Sequence, residues 1–226
     1  IYVSTLFLKR GWIMKKNVSI TVALCLVALI SSSVFAGPVV PDWRGEDGST
    51  HQIWTFDTDE NPAAPSVVDN PNGDPTALIE DDNPADMWWI DTNRGHDGVW
   101  KTEGYVTITI PNTQLTGPDT YKEIVVQMVY DAGANIDAWL RFTADDSPVS
   151  DGIKPVESED LGDGYRYSRW EITIEPNPTS ETLYMLPFYC NLYVDSVEID
   201  TICVPEPATM AMLGIGGLLT LVRRIK

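Results

Sequence analysis

Tryptophans and carboxylates are the side chains of this 226-residue chain with the most chemistry to offer. Seven tryptophans lie between residues 37 and 204: Trp43, Trp54, Trp88, Trp89, Trp100, Trp139 and Trp170. Trp88 and Trp89 are adjacent, so in a strand they point to opposite faces, one into the core and one outward. Trp139 alternates with Ala138, Leu140 and Phe142, on the side that carries Asp137 and Arg141. An outward indole beside charged groups offers a stacking surface for a sugar ring, which makes Trp139 and one of Trp88 or Trp89 candidate glycan contacts. Carboxylates are too abundant for any pair to mark a glycosidase, which needs two at a defined separation. Glu80-Asp81-Asp82 and Asp57-Thr58-Asp59-Glu60 read as solvated loops.

Other chemistries lack their spacing. His51 and His96 are the two histidines, and no His-x-x-x-His or Cys-x-x-Cys pair exists, so a zinc site is not expected. Asp91-Thr92-Asn93-Arg94-Gly95 imitates the opening of an EF-hand loop. Thr102 stands where that loop requires a bidentate glutamate, so the segment reads as a turn. Neither a Gly-x-Ser-x-Gly nucleophile elbow nor a phosphate-binding glycine loop is present.

The elements that position these residues are strands. Tyr105–Ile110 alternates Val106, Ile108 and Ile110 with Tyr and Thr, and Tyr165–Glu175 sets Trp170, Ile172 and Ile174 against Arg169, Glu171 and Thr173. Further strands are expected at Ser49–Phe56, Thr76–Ile79, Met87–Ile90, Lys122–Tyr130, Asp137–Thr143, Thr182–Phe188 and Leu192–Ile199. Clusters rich in Pro, Gly, Asn and Asp, among them 70–75, 93–98 and 145–152, supply the turns. In 192–199 the apolar spacing slips from Val194 to Val197, which calls for a bulge near Asp195-Ser196. The expected fold is an all-β, two-sheet antiparallel sandwich of jelly-roll type. The segment Leu192–Ile199 resembles the closing strand of galactose-binding-like jelly rolls, a group that includes many carbohydrate-binding modules. That resemblance implies Asp195 as a contributor to a structural calcium site.

Both ends carry export features. Met14-Lys15-Lys16, the apolar stretch Val18–Ile30 and the small residues ending at Ala36 form a signal peptide over 14–36, with cleavage by signal peptidase between Ala36 and Gly37. Residues 1–13 read as an over-extended start. At the other end, Val204-Pro205-Glu206-Pro207-Ala208 precedes an uncharged run, Ala208–Val222, and then Arg223-Arg224-Ile225-Lys226. As a helix the run spans roughly 22 Å, a short transmembrane segment whose basic end stays in the cytoplasm. Residues 204–226 resemble the PEP-CTERM protein-sorting domain of bacterial surface proteins. The resemblance implies recognition of Pro205, Glu206, Pro207, Arg223 and Arg224 by an integral-membrane exosortase that removes the tail; the alternative is a plain membrane anchor.

Between the ends lie an exposed lead-in, 37–48, and the sandwich domain, 49–203. The 168 residues from 37 to 204 hold 32 acidic against 8 basic side chains, a formal charge of −24, which excludes nucleic acid as a partner. Such a charge is met by a solvated surface or by divalent cations, structural calcium among them. Cys25 leaves with the signal peptide, and Cys190 with Cys203 permits one disulfide. The leading expectation is a non-enzymatic protein of the cell surface or extracellular matrix. A glycan-binding module whose partner is extracellular polysaccharide is the alternative, and a glycan-cleaving extracellular enzyme the second.

Overall fold

The computed structural model describes residues 37–81, 83–112, 120–131, 133, 139–144, 147–178, 180–186 and 191–205. Of two compact units, 1–39 and 40–226, the second carries the sheets. Its elements in chain order are β1 (Ser49–Trp54), β2 (Val67–Asp69), β3 (Thr76–Glu80), a 3-10 turn at Pro84–Asp86, β4 (Trp88–Asn93), β5 (His96–Thr102), β6 (Tyr105–Pro111), β7 (Thr120–Asp131), β8 (Trp139–Ala144), β9 (Ser147–Ile153), β10 (Glu157–Asp160), β11 (Arg166–Ile174), β12 (Ser180–Leu186) and β13 (Leu192–Pro205).

These strands form two antiparallel sheets. One follows the order β10-β11-β7-β13-β1-β2, with β5 also on β13 and β4 on β5; the other is β3-β6-β12-β8-β9. The alternation in the sequence decides which residues meet between them. Trp54, Ile124, Val126, Trp170, Val197 and Ile199 of the first sheet pack into one core with Ile79, Val106, Ile108, Ile110, Leu183 and Met185 of the second. Burying these side chains removes apolar surface at about 25 cal/mol per Å2, the largest favourable contribution to the fold. Trp54 and Trp170 are fully buried, and each indole N–H reaches a carbonyl, Ala63 O at 3.2 Å and Ile153 O at 3.1 Å.

β13 is the organising strand. Along one edge it pairs with β7 from Tyr193 to Pro205. Along the other it pairs first with β5 over Leu192–Val194 and then with β1 over Val197–Ile202. The register slips between Val194 and Ser196, so the bulge expected from the apolar spacing is present. It falls where the second edge changes neighbour, and it returns Val197 and Ile199 to the core face.

The strands differ from the sequence expectations at several places. β1 stops at Trp54 rather than Phe56, because Phe56 adopts a left-handed backbone, φ 51°. Its carbonyl approaches Gly98 so closely that a side chain on Gly98 would collide with it, and there it accepts the Trp89 indole N–H at 2.8 Å. The turn read over 93–98 is only Arg94-Gly95, both with positive φ (54° and 93°), as a two-residue hairpin requires. His96–Thr102 is therefore a strand. Most of the turn cluster at 145–152 is β9, and β2 and β10 are short strands without an apolar period. β13 continues six residues beyond the expected end at Ile199. Among the described residues no helix is long and apolar enough to cross a membrane. The expected signal helix and C-terminal span lie outside them.

The interior also holds an ion pair. Lys122 of β7 and Glu181 of β12 face each other across the sheets, 1% and 0% exposed, and bond directly. Lys122 Nζ also donates to Asn112 Oδ1 at 2.9 Å, and that oxygen accepts from Cys203 Sγ at 3.3 Å. Asn112 Nδ2 in turn donates to Asn177 Oδ1 at 3.0 Å. Charges this far from water persist only when paired and hydrogen-bonded.

Candidate functional site

One end of the first sheet gathers polar residues from four segments. The β4–β5 hairpin brings Asn93, Arg94 and His96; the 161–165 loop brings Asp163 and Tyr165; β7 ends at Asp131; the β13 bulge presents Asp195. His96 lies between two carboxylates, its Nε2 2.9 Å from Asp163 Oδ2 and its Nδ1 3.2 Å from Asp195 Oδ1. Its ring stacks on Tyr165 with centroids 3.8 Å apart. The Tyr165 hydroxyl accepts from Asn93 Nδ2 at 3.0 Å, and Arg94 Nη1 donates to Asp131 Oδ2 at 2.8 Å. Arg94 itself sits in the left-handed conformation that the two-residue hairpin requires.

The environment separates the two aspartates. A hydrogen bond from His96, then one from the Tyr165 backbone N–H, hold Asp163 below the usual carboxylate range. Burial pushes Asp195 upward, and the contact with His96 offsets this only in part. Burial also pushes the Tyr165 phenol up to about 12. With both imidazole nitrogens engaged, His96 fastens three loops together and has no nitrogen left over for a substrate. Among the described residues both oxygens of Asp195 are engaged: Oδ1 faces the imidazole and Oδ2 accepts from Ser196 Oγ at 3.3 Å.

Asp195 thus carries a charge the fold disfavours. Because its folded pKa is raised, folding takes up a proton between the ordinary value of 3.8 and that raised value. Its contribution to stability is present below 3.8 and is lost as pH climbs through the folded value. Asp195→Asn removes this dependence. Wild-type Tm minus variant Tm, followed by calorimetry, should therefore fall as pH rises across that window and level off above it.

A second cluster lies on the outer face of the same sheet. His51, Glu198 and Asp200 bring potential ligand atoms within 4.8 Å of one another. Arg44 lies on both carboxylates: its Nε is 2.5 Å from Asp200 Oδ1, and its Nη2 is 2.6 Å from Asp200 Oδ2 and 2.5 Å from Glu198 Oε1. His51 Nε2 is 3.0 Å from the same Glu198 oxygen. Burial raises Asp200 despite the guanidinium. For Glu198 burial acts in the same direction, but bonds from His51 and Arg44 outweigh it and the pKa falls. The cluster is a buried salt bridge closed by a residue of the lead-in, with the arginine where a cation would bind.

Trp88 and Trp89 take opposite sides, as strand alternation requires. Trp89 packs against the core, while Trp88 is 44% exposed with Lys101 Nζ 3.7 Å from its ring centroid. Trp139 opposes Leu186 in the β8–β12 ladder, and its side chain lies outside the described residues. Asp81, just past the end of β3, is partly solvated and also structurally engaged. Its Oδ2 accepts from Glu103 N at 2.7 Å, Gly104 N at 3.1 Å and Thr102 Oγ1 at 3.2 Å, tying the end of β3 to the β5–β6 turn. Cys203 is buried against Asn112, and Cys190 lies outside the described residues. Gly37 begins the described chain. Ala36, Glu206, Pro207, Arg223 and Arg224 fall outside it, whereas Pro205 is the last residue of β13, opposite Thr120.

Residues 204–226 match the PEP-CTERM protein-sorting motif. The chain therefore carries an export and surface-sorting signal, one processed by exosortases. No curated protein matches the chain. Among solved structures it is similar to a family 35 carbohydrate binding module from Clostridium thermocellum, at 13% identity over 54% of this chain and 90% of that one, TM-score 0.33. It is also similar to the enzymatically active domain of tailspike protein 4 from bacteriophage CBA120, at 11% identity, TM-score 0.22, with 67% of this chain covered and 19% of that one.

Proposed function

We propose that this chain is a non-enzymatic protein of the cell surface or extracellular matrix, delivered by signal peptidase and trimmed by an exosortase. The observation that carries this reading is the sorting motif at 204–226, which begins on the last rungs of the central strand β13. A folded sandwich thus leads directly into the sorting signal. The charge of −24 suits a solvated extracellular unit. The clustered carboxylates are engaged in holding loops and strands: Asp163 and Asp195 by His96, Glu198 and Asp200 by Arg44. In producing cells that lack exosortase, the chain should keep its tail and with it the mass of the apolar run and basic end. Glu206→Ala in cells that retain the enzyme should accumulate the same species. Normal trimming in both cases contradicts the reading.

A second reading is favoured by Trp88, whose indole is 44% exposed with the Lys101 ammonium over its ring, apolar area with a cation beside it that a sugar could use. On this reading the domain binds extracellular polysaccharide. Trp88→Ala, folded as judged by circular dichroism, should then weaken binding to the producer's own polysaccharide by roughly ten-fold or more, the loss of about 1.4 kcal/mol. Equal retention of variant and wild type on a polysaccharide column removes Trp88 from the reading.

A further inference from the structure

Any protease cleaves a segment that it can hold in extended form, so a folded chain is cut where backbone is free or opens at small cost. The sorting reading places cleavage at or near the Pro205-Glu206-Pro207 triplet, and the inference below rests on that reading. β13 sets a boundary within this region. Up to Ile202 it is an interior strand, paired with β7 on one edge and β1 on the other. Cys203 adds a backbone bond from its N–H to Gly48 O at 3.4 Å, and its thiol donates to Asn112 within the buried polar network that includes Lys122. Among the described residues Val204 and Pro205 have one neighbouring strand, β7, opposite Tyr121 and Thr120.

We infer that the scissile bond lies C-terminal to Pro205, and that the new C-terminus stays in the sheet as the end of β13. A cut before Pro205 would require the enzyme to hold Ile202, Cys203 and Val204. Freeing them means stripping the central strand from β1 and β7 together and opening the network around Lys122, which amounts to unfolding that end of the sandwich. A cut after Pro205 spares the pairing of β13 with β1, which ends at Ile202: it frees Val204 and Pro205 from a single edge and loosens Cys203. The mature protein accordingly keeps the whole of β13, and trimming leaves the core intact. The folded domain acts as a stop that fixes the earliest bond an exosortase can reach.

The test is C-terminal peptide mapping by mass spectrometry on the full-length protein isolated from cells that process it. The expected result is that all trimmed molecules end at Pro205 or at a later residue of the motif. Molecules ending at Val204 or earlier overturn the inference while leaving the sorting reading in place. Molecules that retain Arg223–Lys226 overturn the sorting reading and this inference with it.

Discussion

Lys122→Met should lower stability by about 3–5 kcal/mol, seen as a large drop in the urea midpoint, because it removes the ammonium bonded to the fully buried Glu181 carboxylate. Glu181 is fully buried on β12, and the Lys122 ammonium bonded to it comes from the opposite sheet. Glu181→Leu should cost a similar amount for the converse reason, since it removes the carboxylate bonded to the buried Lys122 ammonium. The double replacement Lys122→Met/Glu181→Leu should regain most of the loss, because two apolar side chains of similar length fill the gap without a desolvated ion. A double variant no more stable than either single one would show that the pair contributes more than the avoidance of an unpaired charge.

Arg44→Ala is expected to have the next largest effect, about 2–3 kcal/mol, although the residue lies in a segment with little secondary structure. Asp200 is completely buried on the outer face of β13, and both of its oxygens depend on this guanidinium. Arg44→Lys should recover only part of the loss, since one ammonium cannot reproduce the two-pronged geometry. Asp200→Asn in the Arg44→Ala background should restore stability by removing the unpaired charge. Equal stability of wild type and Arg44→Ala, measured by urea titration at neutral pH, would place the lead-in outside the cooperative unit.

Where side chains obey a period of two, the strands were legible in advance. β6 and β11 show their buried faces directly, and the bulge at Asp195-Ser196 followed from one missing step between Val194 and Val197. β5 was not legible, because it has no period: His-Asp-Gly-Val-Trp-Lys-Thr is buried on both faces from Gly98 to Thr102, and its first residues read as a turn. The fastener around His96 joins residues 67 and 99 positions away, a relation set by hairpin length and sheet order that local pattern does not record. Arg44 was hidden for a related reason. A Pro- and Gly-rich segment reads as exposed, and nothing in it reveals that the outer face of β13 presents two carboxylates. The sorting signal needed no tertiary information, since the motif is carried by the linear sequence of 204–226. The structure added its attachment point, with β13 running to Pro205 rather than stopping at Ile199.

The central claim is that a folded, acidic sandwich is carried outside the cell and released from its tail there. Protease shaving of intact producing cells, followed by mass measurement of the fragments and of the protein left in the cytosol, tests it directly. The account predicts fragments from residues 37–205 at the surface or in the surrounding matrix, with residues 1–36 and 223–226 missing from the mature species. A full-length, folded chain found only in the cytosol and untouched by the protease would contradict it.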